Sequence, residues 1–195
     1  MKKVKITLII VLTLSITNCI AQNNQSKFTF ELNVGPSFAT QNLAGTDLNV
    51  GGGFEGIFNY QLMTHLGVYA GWGWNISPSR ESFQEIDADF EETGYVFGLQ
   101  FKHPFRSSEI SWVVRLGGLY NHLEIEDSEG EILWDTGHGF GIQAAAGLDI
   151  PLGMKWSLSP MIKFHSLSRD LEIESTTNNF DLRYFAPRVG IVRQF

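Results

Sequence analysis

One cluster in the chain could support nucleophilic chemistry: His165 with Ser166, Ser168 and Asp170. A hydroxyl, an imidazole and a carboxylate within mutual reach can carry acyl transfer. Strand parity argues against it, because adjacent Ser166 would point to the face opposite His165, and the residue two past His165 is Leu167. A histidine among polar interior neighbours is the better reading, with hydrolysis through His165 as the alternative. Gly51-Gly52-Gly53-Phe54-Glu55-Gly56 fits G-x-G-x-x-G. A dinucleotide fingerprint needs a strand before it and a helix after it. Here a loop precedes and the strand-like FEGIFNY follows, so these glycines are expected to make room in a narrow interior, and no cofactor is expected. A third grouping is acidic. Asp87, Asp89, Glu91, Glu126, Asp127 and Glu129 are candidates for contact with a divalent cation or a basic partner. Asp87-x-Asp89-x-Glu91 lacks the turn glycine of an EF-hand loop, so no dedicated metal centre is expected.

The rest of the sequence limits what could hold these groups. In 195 residues there are 20 glycines, 13% aromatic and 18% charged residues, a net charge of −7 and one cysteine. Disordered chains have few aromatics and many charges, and nucleic-acid binders carry basic patches. A lone cysteine builds neither a disulfide framework nor a cysteine zinc site. Residues 1–21 read as a cleaved signal peptide: Lys2, Lys3 and Lys5, then ITLIIVLTLSI, then Cys19-Ile20-Ala21 with small side chains for cleavage after Ala21. Lipidation of Cys19 is the alternative. Residues 22–195 form the mature domain.

Eight segments alternate with period two, as β-strands do. In the first, Phe28, Phe30, Leu32 and Val34 oppose Thr29, Glu31, Asn33 and Gly35. In the last, Val189, Ile191 and Phe195 oppose Arg188, Gly190, Val192 and Gln194. One face is bulky, apolar and ends in aromatics, while the other is glycine, small polar residues and a few charges. This is the inside-out arrangement of a transmembrane β-barrel. A soluble carrier of equal strand number would turn its apolar set inward. The expectation is an all-β, eight-stranded, antiparallel up-and-down transmembrane barrel with aromatic girdles, including Phe28, Tyr60, Phe101 and Trp112 at one end and Trp72, Tyr95, Tyr120 and Phe140 at the other. Short turns near Gln61–His65, Lys102–Glu109 and Pro151–Lys155 alternate with long connections at Phe38–Leu48, Ile76–Glu92, His122–Gly137 and Leu167–Asp181. That alternation predicts both termini in the periplasm and the long connections outside. The long connections hold 17 of the 21 acids, opposed there only by Arg80 and Arg169. Parity points Glu31, Glu55, Asp149, Arg115, Lys163 and Arg188 into the lumen, where closure should let Glu31 meet Arg188.

With the signal ending CIAQ, the eight alternating segments, WSLSPMIKF and the final RVGIVRQF, the chain resembles the small outer-membrane β-barrel proteins of Gram-negative bacteria, the OmpA/OmpX-like and PorT-like group. The resemblance implies residence in the outer membrane among lipid and lipopolysaccharide, with a structural or interaction role. It also implies an assembly signal in Val189, Ile191 and Phe195 that the outer-membrane assembly machinery would read, and a protein partner met through the outer loops. Lipid A deacylases of similar architecture place a histidine and a serine two apart, a spacing this chain lacks. No nucleic-acid partner is expected.

Overall fold

The computed structural model describes residues 27–79, 88–127, 129–173 and 176–195; the expected signal segment and Asp87 lie outside them. Among the described residues nine strands follow in order: β1 (Phe28–Ala39), β2 (Gly51–Gln61), β3 (Leu66–Pro78), β4 (Asp89–Pro104), β5 (Ser111–Glu126), β6 (Ile132–Asp135), β7 (Gly139–Gly153), β8 (Trp156–Ile173) and β9 (Thr176–Gln194). Eight of them make the wall. Each pairs antiparallel with its neighbours, in the order β1-β2-β3-β4-β5-β7-β8-β9, and β9 returns to β1 with Thr29 opposite Gln194. Closure gives every wall strand two partners, the one way a sheet removes its edges. The four-residue β6 pairs only with the far end of β5.

Parity works as the sequence indicates. Leu32, Val34, Phe58, Leu99, Leu116, Ile142, Ile162, Val189 and Ile191 stand exposed on the outer wall, and Phe140 is 75% exposed. On the inner wall lie Glu31, Asn33, Asn59, Gln100, Arg115, Gln143 and Lys163, all buried. Around the outside, Trp72 of β3, Tyr95 of β4, Tyr120 of β5 and Phe140 of β7 occupy successive register positions, one aromatic belt. Towards the short turns, Phe28 packs on Tyr60 and Phe101 on Trp112, with ring centroids 4.7 and 5.1 Å apart. The interior is tight. Gly98 and Gly117 face each other across β4 and β5, and a Cβ at Gly117 would lie 2.5 Å from the Tyr69 hydroxyl, so these glycines make the space Tyr69 fills. The Gly51–Gly56 run lies in β2 and leads into no helix, as its sequence context implies.

Two expectations about the long connections need correction. His122–Gly137 and Leu167–Asp181 are largely strand: β5 runs to Glu126, and β8 and β9 stay paired out to Ile173 opposite Thr176. The reason is a change of polarity along the strands. Below the aromatic belt the outer face is apolar and the inner face polar. Above it the pattern inverts, with His122, Glu124 and Glu126 outward while Leu123 and Ile125 are fully buried. Phe90, Phe180 and Leu182 join them in a core that also takes in Leu43 and Leu167, and Phe90 lies 6.3 Å from Phe180, ring to ring. That end is organised as in a soluble β protein.

Candidate functional site

The lumen concentrates the buried charge of the molecule. In β1, Glu31 alternates inward with Asn33; in β5, Arg115 takes the inward position between the outward Val114 and Leu116. Counted around the barrel, β5 is diametrically opposite β1. Arg115 reaches across, donating from Nη1 to Glu31 Oε1 at 3.1 Å and from Nη2 to Glu31 Oε2 at 2.5 Å. Asn33 Nδ2 donates to the same carboxylate at 3.0 Å, and Arg115 Nε donates to Gln100 Oε1 at 2.8 Å. The guanidinium lies over the Tyr69 ring, whose hydroxyl accepts from Gln143 Nε2. On the turn side of this pair, a cavity of about 300 Å³ opens at the barrel mouth. There Lys102 bridges to Asp149 at 3.0 Å.

Beyond the Glu31–Arg115 pair, Lys163 of β8 meets Glu55 of β2, and both are buried. The other oxygen of Glu55 stands 3.4 Å from His165 Nε2. His165 Nδ1 and the Tyr184 hydroxyl are 2.7 Å apart, and Tyr184 donates to Glu92 Oε2 at 2.7 Å. With its own proton given to Glu92, the hydroxyl is left to accept from Nδ1, which fixes that nitrogen as the protonated one. Asn121 Nδ2 completes Glu92 at 2.5 Å. A void of about 10 Å³, room for a single water, lies between Glu55, Asn75, Glu92, His165 and Arg188. Farther out, Arg169 caps the lumen with hydrogen bonds to the carbonyls of Asn121, Phe140, Ser168 and Gly139.

All six charged residues expected in the lumen are there and buried. The partnership expected of Glu31 and Arg188 does not form. Register sets Arg188 opposite the Gly35 level, four residues along β1 from Glu31 and about 13 Å away at 3.3 Å per residue. Arg188 instead donates to the carbonyls of Gly35 and Gly53 and to Asn75 Oδ1 at 3.0 Å. Glu92 and Arg169, grouped with the outer loops by sequence, are buried in the lumen, giving four acids (Glu31, Glu55, Glu92, Asp149) and four bases (Arg115, Lys163, Arg169, Arg188). Their inward parity with Phe90 and Leu167 is the signal that reveals them. Ser166 and Ser168 fall on the outer side of β8 and His165 on the inner, so the wall separates the members of the one hydrolytic grouping. Of the acidic candidates, Asp89, Glu91 and Glu126 stand outward at the loop end, and Asp127 Oδ1 accepts from the backbone of Glu129 and Glu131 in the tight turn before β6. Val189, Ile191 and Phe195 face outward beside β1, and the Phe195 amide donates to the Phe28 carbonyl at 3.1 Å.

No family model and no curated protein matches the chain. Solved structures do. Neisserial surface protein A aligns with a TM-score of 0.60 at 12% identity, over 87% of this chain and 98% of its own. Outer membrane protein AlkL, determined in DMPC bilayers, gives 0.56 at 12% identity over 90% and 92%. OprG from Pseudomonas aeruginosa gives 0.53 at 12% over 86% and 96%. The chain has the fold of the small eight-stranded outer-membrane β-barrels. What it shares with them is the fold, a closed eight-stranded antiparallel barrel.

Proposed function

We propose that the protein is an integral barrel of the bacterial outer membrane, both termini periplasmic, that serves as a rigid anchor and presents its acidic loop end for structural or interaction roles: envelope integrity, adhesion or service to a larger envelope complex. One observation carries this reading. The belt-facing side chains are exposed and apolar between two aromatic levels, while the lumen they enclose is filled by paired charges and closed by apolar side chains. Apolar outward faces need hydrocarbon to cover them, and aromatic rings settle at the membrane interfaces. A side-chain-filled eight-stranded interior leaves no wide aqueous path. Lipopolysaccharide would surround the loop end, and the assembly machinery would read Val189 and Ile191 of β9 with Phe195 after it.

The separation of His165 from Ser166 and Ser168 weighs against a lipid A hydrolase. Fractionation tests the main reading: detergent-dependent extraction with the outer membrane, heat-modifiable migration, and loop-end cleavage by protease added to intact cells are expected. Recovery in the soluble periplasmic fraction would overturn it. Mass spectrometry of lipid A from cells with and without the protein should show no change in acylation.

A further inference from the structure

We propose that His122, Glu124 and Asp135 form a binding site for a borderline divalent transition metal, of which zinc is the representative ion, on the outer wall at the loop end. None of the three belongs to the acidic set that sequence marks for cations. The site is built by strand pairing. Glu124 of β5 stands directly opposite Asp135 of β6. The Leu123 amide donates to Thr136 Oγ1 and the Thr136 amide to the Leu123 carbonyl, both at 3.0 Å, which locks the two strands together at that rung. His122 Nδ1 lies 3.1 Å from Asp135 Oδ1 and 3.7 Å from Glu124 Oε1, and the three ligand atoms all fall within 4.8 Å of one another. Ligands about 2.0–2.1 Å from a tetrahedral zinc are roughly 3.3–3.4 Å apart, a spacing these gaps bracket. The ligands are also oriented from behind. The His122 ring stacks on His138 with centroids 4.4 Å apart, and the Gly137 amide donates to Asp135 Oδ1 at 2.8 Å. Such supporting contacts hold metal ligands in position.

Electrostatics favour a cation here. Glu124 faces a carboxylate on both sides, Glu91 in β4 and Asp135 in β6, and Asp89 faces Glu126 two residues farther out. Like charges directly opposite in a sheet are destabilising. Among the described residues no lysine or arginine forms an ion pair with any of these five acids. The imidazole nitrogen decides the class of ion. Calcium and magnesium take oxygen ligands, whereas imidazole suits zinc and its neighbours. The carboxylates Glu91, Glu124 and Glu126 form an all-oxygen group beside it that shares Glu124.

The test uses untagged protein extracted in detergent and stripped with chelator, titrated with zinc in a calorimeter and with cobalt as an optical probe. One saturable ion, a tetrahedral cobalt spectrum and a zinc-dependent rise in unfolding temperature are expected. His122→Ala and the isosteric Asp135→Asn should each weaken zinc by roughly ten-fold or more. Both should keep heat-modifiable migration; if His122→Ala does not fold, Asp135→Asn decides. His65→Ala, which disrupts the other stacked histidine pair, His65 with His103, should leave binding unchanged. Absence of saturable zinc binding, unchanged affinity in Asp135→Asn, loss of binding in His65→Ala, or displacement of zinc by an equal concentration of calcium would each overturn the site.

Discussion

Glu31 and Arg115 join opposite walls of the barrel: a carboxylate on β1 and a guanidinium on β5, four strands away in either direction, meet in a two-pronged ion pair across the lumen. Neighbouring strands in a barrel are already tied by their ladder. A link across the diameter sets the cross-section instead, and it stands where the open mouth gives way to the packed interior.

Removing one side of that link leaves a buried charge without its partner. Arg115→Leu is expected to destabilise the barrel by roughly 3–5 kcal/mol, measured as a fall in the urea midpoint of refolded protein. Glu31→Leu combined with Arg115→Leu should recover most of the loss, since replacing both charges of a buried pair is often close to neutral. An unchanged midpoint in Arg115→Leu would show that the pair adds no stability.

Conductance follows from the same packing. Planar-bilayer recordings of the intact protein should show no sustained current, because the Glu31–Arg115 pair, the Glu55–Lys163 pair and the apolar outer core follow one another along the lumen. A large, steady single-channel current would require a path through all three.

The apolar end has its own test. Phe90→Ala removes a fully buried ring from between Phe180 and its neighbours and should cost about 3–5 kcal/mol. Because the belt is untouched, membrane integration of this variant should equal wild type while its unfolding midpoint falls.

Gly117→Val is expected to reduce folded yield. Its side chain would collide with the Phe97 carbonyl and the Tyr69 hydroxyl, and neither strand can retreat without breaking its ladder. Gel migration of unboiled samples reads the folded fraction directly, and wild-type yield would mean that the wall is looser than its register implies.

Deleting Phe195 removes the amide that bonds Phe28 and the exposed ring that follows β9. Protease-sensitive periplasmic protein should accumulate, measured by immunoblot of fractions. Wild-type insertion would remove Phe195 from the assembly signal.

How far the sequence could be read depended on which geometric variable was at stake. Facing is a property of parity alone, so Glu31, Glu55, Arg115, Asp149, Lys163 and Arg188 could be turned inward from spacing. Height within the barrel is different. It depends on stagger between strands, set by turn lengths and tilt, and this is why Arg188 reaches Gly35, Gly53 and Asn75 and not Glu31. The ends of β5, β8 and β9 were obscured by charge. Glu124, Glu126, Asp170 and Asp181 have the composition of loops, and only the alternating Leu123, Ile125, Leu167 and Leu182 mark those stretches as strand. The pairing of β6 with β5, which brings Asp135 to His122, has no local signature because it joins a four-residue strand to a partner across a turn.

The polarity switch along β5 also has a kinetic consequence. Placed across a bilayer, the finished barrel could withdraw only by dragging the outward carboxylates of Asp89, Glu91, Glu124, Glu126 and Asp181 through hydrocarbon. Acidic and basic side chains resist that passage. The folded loop end would therefore work like a barb, admitted once while the wall is being assembled and retained afterwards. Residence time would be governed by the barrier to extraction and not by the equilibrium stability of the fold.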